Sequence, residues 1–265
     1  MKTFRMIGMA LFAVLMCVNF VACSSGDDEP ETKEEGVVTS AKKLVGIVDA
    51  SSPYAASFVY DNKNRLTNIM IKKDGNIYMS AEWIWGDDII MRKYTNGVGV
   101  TSSSGTYKLN NGLVIDYYDD KNEYNSSNQL ISVYDGAILF TWENKLLTKI
   151  EGNNGRYAKI YYGNNNCKGY FPLMAQIIFS TIGYDISYFI GHYGLYIAHP
   201  ELTGIRTTQL PNKIVETDEN EEVESNLGYT FSNDGYIESC TIRKTTTYSD
   251  GRIVSENIVY TFKWQ

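Results

Sequence analysis

The sequence predicts a mainly β protein, a single antiparallel meander of hairpins curled into an open barrel or half-barrel. Three observations carry this. Asx–Gly pairs recur at short intervals: Asp74-Gly75, Asn96-Gly97, Asn111-Gly112, Asp135-Gly136, Asn154-Gly155, Asp234-Gly235 and Asp250-Gly251. Such pairs supply the positive φ angles that tight hairpins demand. Between them lie runs rich in aromatic and β-branched residues, which suit a pleated, half-buried surface: Ile77 to Ile84, Leu113 to Tyr118, Ile138 to Trp142, Tyr157 to Tyr162, Tyr229 to Phe231 and Ile253 to Trp264. Few windows show helical periodicity, and with 265 residues and 43% hydrophobic side chains the chain is long enough for one sizeable core. The 21 tyrosines, against 4 tryptophans and 10 phenylalanines, fit strands with one face buried and one solvated, because Tyr has an apolar ring and a wet hydroxyl.

Taken in order, residues 1–22 read as an address. Lys2 and Arg5 form a basic start, and Met6 to Ala22 is almost wholly apolar, the layout of a secretory signal peptide. The run is short for a membrane span, and no later segment qualifies as one. Phe20-Val21-Ala22-Cys23 resembles a bacterial lipobox, with small Ala22 just before the cysteine that would receive lipid. Phe20 stands where such motifs usually carry Leu, and Cys17 fits less well because Met16 precedes it. Ordinary cleavage near Ala22, leaving Cys23 a plain thiol, is the alternative. Residues 23–38 form an acidic tether: Asp27, Asp28, Glu29, Glu31, Glu34 and Glu35 stand against one cation, Lys33, with nothing to bury. An acidic run behind a lipidated cysteine resembles the export signal of Bacteroidetes lipoproteins displayed on the outer surface; a spacer on a periplasm-facing lipoprotein is the other reading.

The β domain is expected over residues 39–265. Its first hairpin is Phe58 to Ile71, where Asp61, Asn62, Lys63 and Asn64 interrupt two apolar runs. Aromatic, any, aromatic, polar turn, aliphatic is a pattern that recurs. Phe58-Val59-Tyr60 with Leu66 matches Phe140-Thr141-Trp142 with Leu146 and Tyr229-Thr230-Phe231 with Ile237, and Tyr124 with Leu130 is fainter. The first copy resembles the tyrosine-aspartate repeats of large bacterial shell proteins, but the spacing is irregular and the chain too short for a shell. Tyr170 to Pro200 breaks the pattern. It is denser in apolar residues, lacks Asx–Gly turns, and sets Met174, Ile177, Ile178 and Ile182 at helical spacing. One short helix near 173–190, covering an open end or edge, is expected there, or else a buried strand pair. Thr217 to Ser225 reads as a charged loop. An acidic-tethered lipoprotein with such hairpins, a hydrophobic middle and a Gly204…Leu210-Pro211 segment before a strand resembles one group. It is a family of Bacteroidetes surface lipoproteins known as a domain of unknown function with a porin-like fold. The resemblance implies an antiparallel sheet curled into an open barrel, and it brings no activity or catalytic residues.

The residues argue against a wall facing lipid, which needs strands of roughly nine to eleven residues with uniformly apolar outward positions. Thr241 to Tyr248 puts charge or hydroxyl on both faces. The net charge of −7, less the two cations of residues 1–22, leaves −9, which repels phosphate backbones and excludes nucleic acid as partner. No cofactor is implied, since no Gly-rich phosphate loop or nucleophile elbow occurs. His192 and His199 have no Cys or acidic cluster at ligand spacing, so they read as structural and no metal is expected. The loop at Thr217 to Ser225 lacks the alternating ligand pattern of a Ca²⁺ site. Asp87-Asp88 and Asp116 with Asp119-Asp120 are the carboxylates a glycan hydrolase would use, yet turns favour Asp anyway. Cys167 and Cys240 are in a compartment that permits a disulfide, and spacing does not decide whether they pair. Trp83 and Trp85 fall on one face of a strand and Trp142 in a matching pair with Phe140, so these three form the candidate ligand surface, either as exposed rings for sugar stacking or as core. The expectation is a lipid-anchored outer-membrane protein, exposed on the cell surface and tethered through Cys23. It would be a non-enzymatic binding module for a glycan or a surface protein; a glycan hydrolase with paired Asp residues and a structural subunit of an envelope assembly are the alternatives.

Overall fold

In strands of this composition, successive side chains face opposite ways, so apolar residues two apart share one face and bury it together. The computed structural model describes residues 42–265 apart from 98, 100, 118, 153, 154, 180–185 and 206, and of 102, 103, 178, 179, 186–189, 191 and 192 it describes the backbone alone. Residues 1–38, Cys23 among them, therefore lie outside the described residues. Contacts divide the chain into Met1–Val37 and Val38–Gln265, and the fold described here belongs to the second unit.

The strands are β1 (Leu44–Asp49), β2 (Tyr54–Tyr60), β3 (Leu66–Lys73), β4 (Asn76–Trp85), β5 (Ile89–Asn96), β6 (Thr101–Asn110), β7 (Leu113–Tyr117), β8 (Asp120–Lys121), β9 (Glu123–Tyr124), β10 (Leu130–Val133), β11 (Ile138–Glu143), β12 (Leu146–Gly152), β13 (Tyr157–Asn166), β14 (Gln209–Thr217), β15 (Glu221–Phe231), β16 (Ile237–Tyr248) and β17 (Ile253–Trp264). Each pairs antiparallel with the next except β8 with β9, and β17 returns to pair with β1, Ile47 opposite Phe262. The sheet thus curls further than a half-barrel. It closes except at one seam, where β8 pairs back on β7 and β9 pairs forward on β10. There Asn122 donates its N–H to Ile115 O (3.0 Å) and Asp135 donates to Lys121 O (3.2 Å), holding the seam at single points.

Turn chemistry follows the sequence where Asx–Gly pairs stand. Asp74-Gly75 and Asn111-Gly112 have positive φ at both positions (50° and 81°; 49° and 75°). Asn144-Lys145 adopts the same geometry, φ 51° and 67°, without a glycine to announce it. The expected charged loop at Thr217 to Ser225 is mostly strand: Thr217 pairs with Glu222 and Val215 with Glu224. Its acids alternate with Val223 and Ser225, which point inward and are buried.

The hydrophobic middle departs most from expectation. It forms two helices, α1 (Met174–Phe179) and α2 (Ile186–Ala198), then a 3-10 turn at Pro200–Thr203. They cover no edge. They fill the barrel, where Ile190, Leu195, Tyr196 and Ile197 join Ile69, Trp83, Ile90 and Tyr107 in one core. Two glycines fix how the filling seats. A Cβ on Gly194 would lie 2.2 Å from Ile69 Cδ1, so α2 meets β3 at its narrowest point there. Gly204 has φ +67°, and a Cβ on it would lie 1.8 Å from the main-chain oxygen of Asn128. Gly194→Ala would overpack a filled core, costing about 1–3 kcal/mol. Gly204→Ala adds the left-handed penalty of about 1–2 kcal/mol to a backbone clash, so it is expected to lower the urea midpoint more than Gly194→Ala.

Candidate functional site

The strand pairs open toward two rims. At one rim lie the chain entry, the C-terminus, the turn between β2 and β3, and the segment that carries the helices. Here the aromatic pattern of the sequence has a structural use. Along β2, β4, β11, β13, β15 and β17, a Tyr or Trp donates its O–H or N–H to a main-chain carbonyl near the start of the strand before it, and Tyr124 of β9 does the same across the seam to β7. Tyr60 Oη donates to Leu44 O (2.8 Å), Trp85 Nε1 to Leu66 O (2.7 Å), Tyr124 Oη to Val114 O (2.7 Å) and Trp142 Nε1 to Leu130 O (2.7 Å). Tyr162 Oη donates to Leu147 O (3.0 Å), Tyr229 Oη to Pro211 O (2.6 Å) and Trp264 Nε1 to Ile237 O (2.7 Å). The acceptor residues are buried, so these donors satisfy carbonyls with little access to water, and Val114 O accepts from Asn122 Nδ2 (2.9 Å) as well. Burial pushes the phenols of Tyr60, Tyr124, Tyr162 and Tyr229 well above their ordinary range, so they remain donors.

The filling segment docks on this collar. His199 is the nearest thing to a polar centre. Its Nε2 accepts the N–H of Leu66 (3.1 Å), which requires the neutral tautomer with Nδ1 protonated toward Glu201 Oε1 (2.7 Å). Its ring stands edge-on to Trp85 (5.4 Å) and Tyr60 (6.1 Å). Every polar atom of the imidazole is used, so His199 is a fastening between helix end and sheet. The side chain of His192 lies outside the described residues.

The candidate ligand surface is placed as follows. Trp83 is 2% exposed, with its ring against the Gly194 turn of α2, and it presents no face to a ligand. Period-two alternation put Trp83 and Trp85 on one face correctly, but that face is the interior. Trp85 and Trp142 are half-buried members of the collar with their indole N–H groups already bonded. The three do not form one exposed plane. The carboxylates do not converge either. Asp87 and Asp88 sit in the β4–β5 turn at the collar rim, whereas Asp116, Asp119 and Asp120 belong to the β7–β8 turn at the opposite rim, where Lys108 Nζ holds Asp116 (2.9 Å) and Asp119 (3.2 Å). Cys167 and Cys240 are both buried free thiols, the first pushed up to about 12 and the second raised further by burial. Among the described residues no three His, Cys, Asp or Glu side chains are grouped to hold a metal ion.

What sequence reading missed is on the outer wall. Asn226, Gly228 and Thr230 of β15 face outward beside Arg243, Thr241 and Ser239 of β16, their register partners. Gly228 has open space where a Cβ would be, so the wall dips there into a shallow hollow. Thr230 and Ser239 share a hydrogen bond (2.7 Å), and Arg243 is exposed with no ion-pair partner among the described residues. The signal was a glycine inside a strand, flanked by polar residues at spacing two.

No family model matches the chain, and none of the curated proteins compared with it does. By fold it is similar to a porin-like protein from Bacteroides uniformis, with a TM-score of 0.56 over 84% of this chain and 98% of that one, at 14% identity. At that identity the likeness is one of fold. Along β15–β17 the outward positions are not the uniformly apolar row that a lipid-facing wall needs. Glu222, Asn226, Glu238, Arg243, Thr247 and Lys263 point outward and are exposed, whereas Leu227, Ile242, Tyr260 and Phe262 point inward and are buried.

The collar phenols set an alkaline limit. Their folded-state values lie above the unfolded value of about 10, so their contribution is complete below about pH 10 and is lost as pH rises beyond it. Urea unfolding is expected to give a stability that begins to fall at about pH 9, where unfolding lets the two buried thiols ionise, and falls more steeply above about pH 10 as the phenols add to the loss. That fall should be shallower in a Tyr60→Phe/Tyr229→Phe variant.

Proposed function

We propose that the chain is a non-enzymatic binding module on the cell surface, held to the outer membrane through lipid on Cys23. One observation supports it most. The described side chains of α1 and α2 pack with those of the strands into one core inside the barrel, which favours recognition at the outer wall or the rims. The hollow at Gly228 is a feature of that wall with groups suited to a ligand. Its hydroxyls from Thr230, Ser239 and Thr241 and the amide of Asn226 match the hydroxyls of a glycan, and the Arg243 guanidinium matches a carboxylate on it. An acidic glycan is therefore the ligand class favoured. The Bacteroides uniformis neighbour, a porin-like protein, is consistent with an envelope protein.

Binding of the full chain to an array of acidic and neutral glycans tests this reading. The expected result is retention of uronate- or sialate-bearing glycans, weakened at least tenfold by Arg243→Ala, about 1.4 kcal/mol, and abolished by Gly228→Leu, which fills the hollow. Binding that survives both changes would reject the site. Turnover of a glycan that is lost on Asp87→Asn would favour the hydrolase. Cys23→Ala is expected to move the protein from the membrane fraction to the soluble one, and unchanged fractionation would reject the anchor.

A further inference from the structure

The rim opposite the collar is not level. β1 pairs with β17 only from Trp264 to Tyr260, and the contact ends where Ala50 donates to Val259 O and Ser51 Oγ reaches Asn257 O. β16 goes on pairing with β17 as far as Ile253, opposite Thr247. Residues 253–256 therefore have a strand on one side only. Val259 turns its N–H and C=O to the β1 side, so by alternation Ile253 and Ser255 turn theirs to the same side, where no described residue meets them. All of 253–257 is exposed, and Ile253 (65%) and Val254 (44%) are among the large apolar side chains most open to water. An unpaired, apolar strand edge is a template for another strand.

We propose that this edge pairs with the same edge of a second copy of the chain, antiparallel, with the two-fold axis through Val254. The sequence Arg252-Ile253-Val254-Ser255-Glu256 is complementary to itself in that register. Ile253 lies opposite Ser255 of the second copy, and these residues, whose backbone groups face outward, exchange both N–H···O bonds. Val254 lies opposite Val254 of the second copy in a pair without hydrogen bonds, where side chains come closest and Cα atoms are about 4.5 Å apart. Arg252 lies opposite Glu256 of the second copy. Glu256 Oε1 already meets Lys244 (3.0 Å) while its side chain is half exposed, leaving Oε2 for that arginine. Arg252 is held over the Tyr248 ring at 3.9 Å, which orders it beside the edge. Moving the register by two residues sets Glu256 opposite Val254 and loses both matches. So short a seam is a weak one in solution, and confinement of both copies to one surface would raise their effective concentration.

Cysteine crosslinking of the full chain in detergent tests this register. Non-hydrogen-bonded neighbours at about 4.5 Å lie within disulfide reach, about 4.4–6.8 Å between Cα atoms. Val254→Cys should form a disulfide-linked dimer under mild oxidation, many-fold above the unsubstituted chain, and Ile253→Cys should not. Adding Ser255→Pro, which removes an edge N–H at an exposed position, should abolish the Val254→Cys dimer and leave far-UV circular dichroism unchanged. Crosslinking of Val254→Cys no greater than that of Ile253→Cys, or unaffected by the proline, would overturn the proposal.

Discussion

The structure depends on one requirement: main-chain carbonyls that run out of strand partners at a buried rim must still find donors. A carbonyl left dry there costs about 1–3 kcal/mol. Tyr and Trp meet the requirement because each combines a large apolar body with a single donor at its tip. Seven of them do so around this rim, from Tyr60 to Trp264, and their rings then become the lining against which the filling segment packs. Tyr170 stacks edge-on to Trp264 (5.4 Å) and Phe171 to Tyr229 (5.5 Å) just before α1, and Tyr124 reaches Leu202 O (3.4 Å) just after α2. The collar both ends the sheet and seats the helices.

The filled interior inverts the usual logic of a barrel with many strands. A barrel this wide would enclose a lumen if its inward side chains were the only filler. Here α1 and α2 supply the missing volume, and the inner wall is apolar to receive them, with a tyrosine cluster where Tyr107 stacks on Tyr117 (4.4 Å) and meets Tyr196 edge-on. Arg92, 2% exposed, lies with its guanidinium 5.7 Å from the Tyr117 ring, which offsets part of the cost of burying that charge. On the outside, acids of β15 meet cations on neighbouring strands, as Glu224 meets Lys213.

Much of the fold was legible because hairpins are local. Asp74-Gly75 and Asn111-Gly112 specify their turns within two residues, and Leu227, Tyr229 and Ile242 mark an inner face by period two alone. Asn144-Lys145 was hidden because a lysine holds a φ of 67° that sequence assigns to glycine. The helical hairpin was hidden for a different reason. A buried apolar segment between strands has no polar face to reveal whether it lies across a sheet or inside it, and only closure of β17 onto β1 creates the space it fills. The tryptophans illustrate the limit for sites. Alternation put Trp83 and Trp85 on one face, but which face is inner depends on curvature, a long-range property. The hollow at Gly228 needed the register of β15 on β16, since Asn226 and Arg243 are distant in sequence.

The central claim, that helices and barrel are one cooperative body fastened by the collar, is tested most directly by native-state hydrogen exchange. The amides of Leu195, Tyr196 and Ile197 in α2 should exchange with the same opening free energy and denaturant dependence as those of Cys240 and Ile242 in β16, through global unfolding alone. Exchange of the α2 amides through an opening of lower free energy, with the β16 amides still protected, would contradict the account.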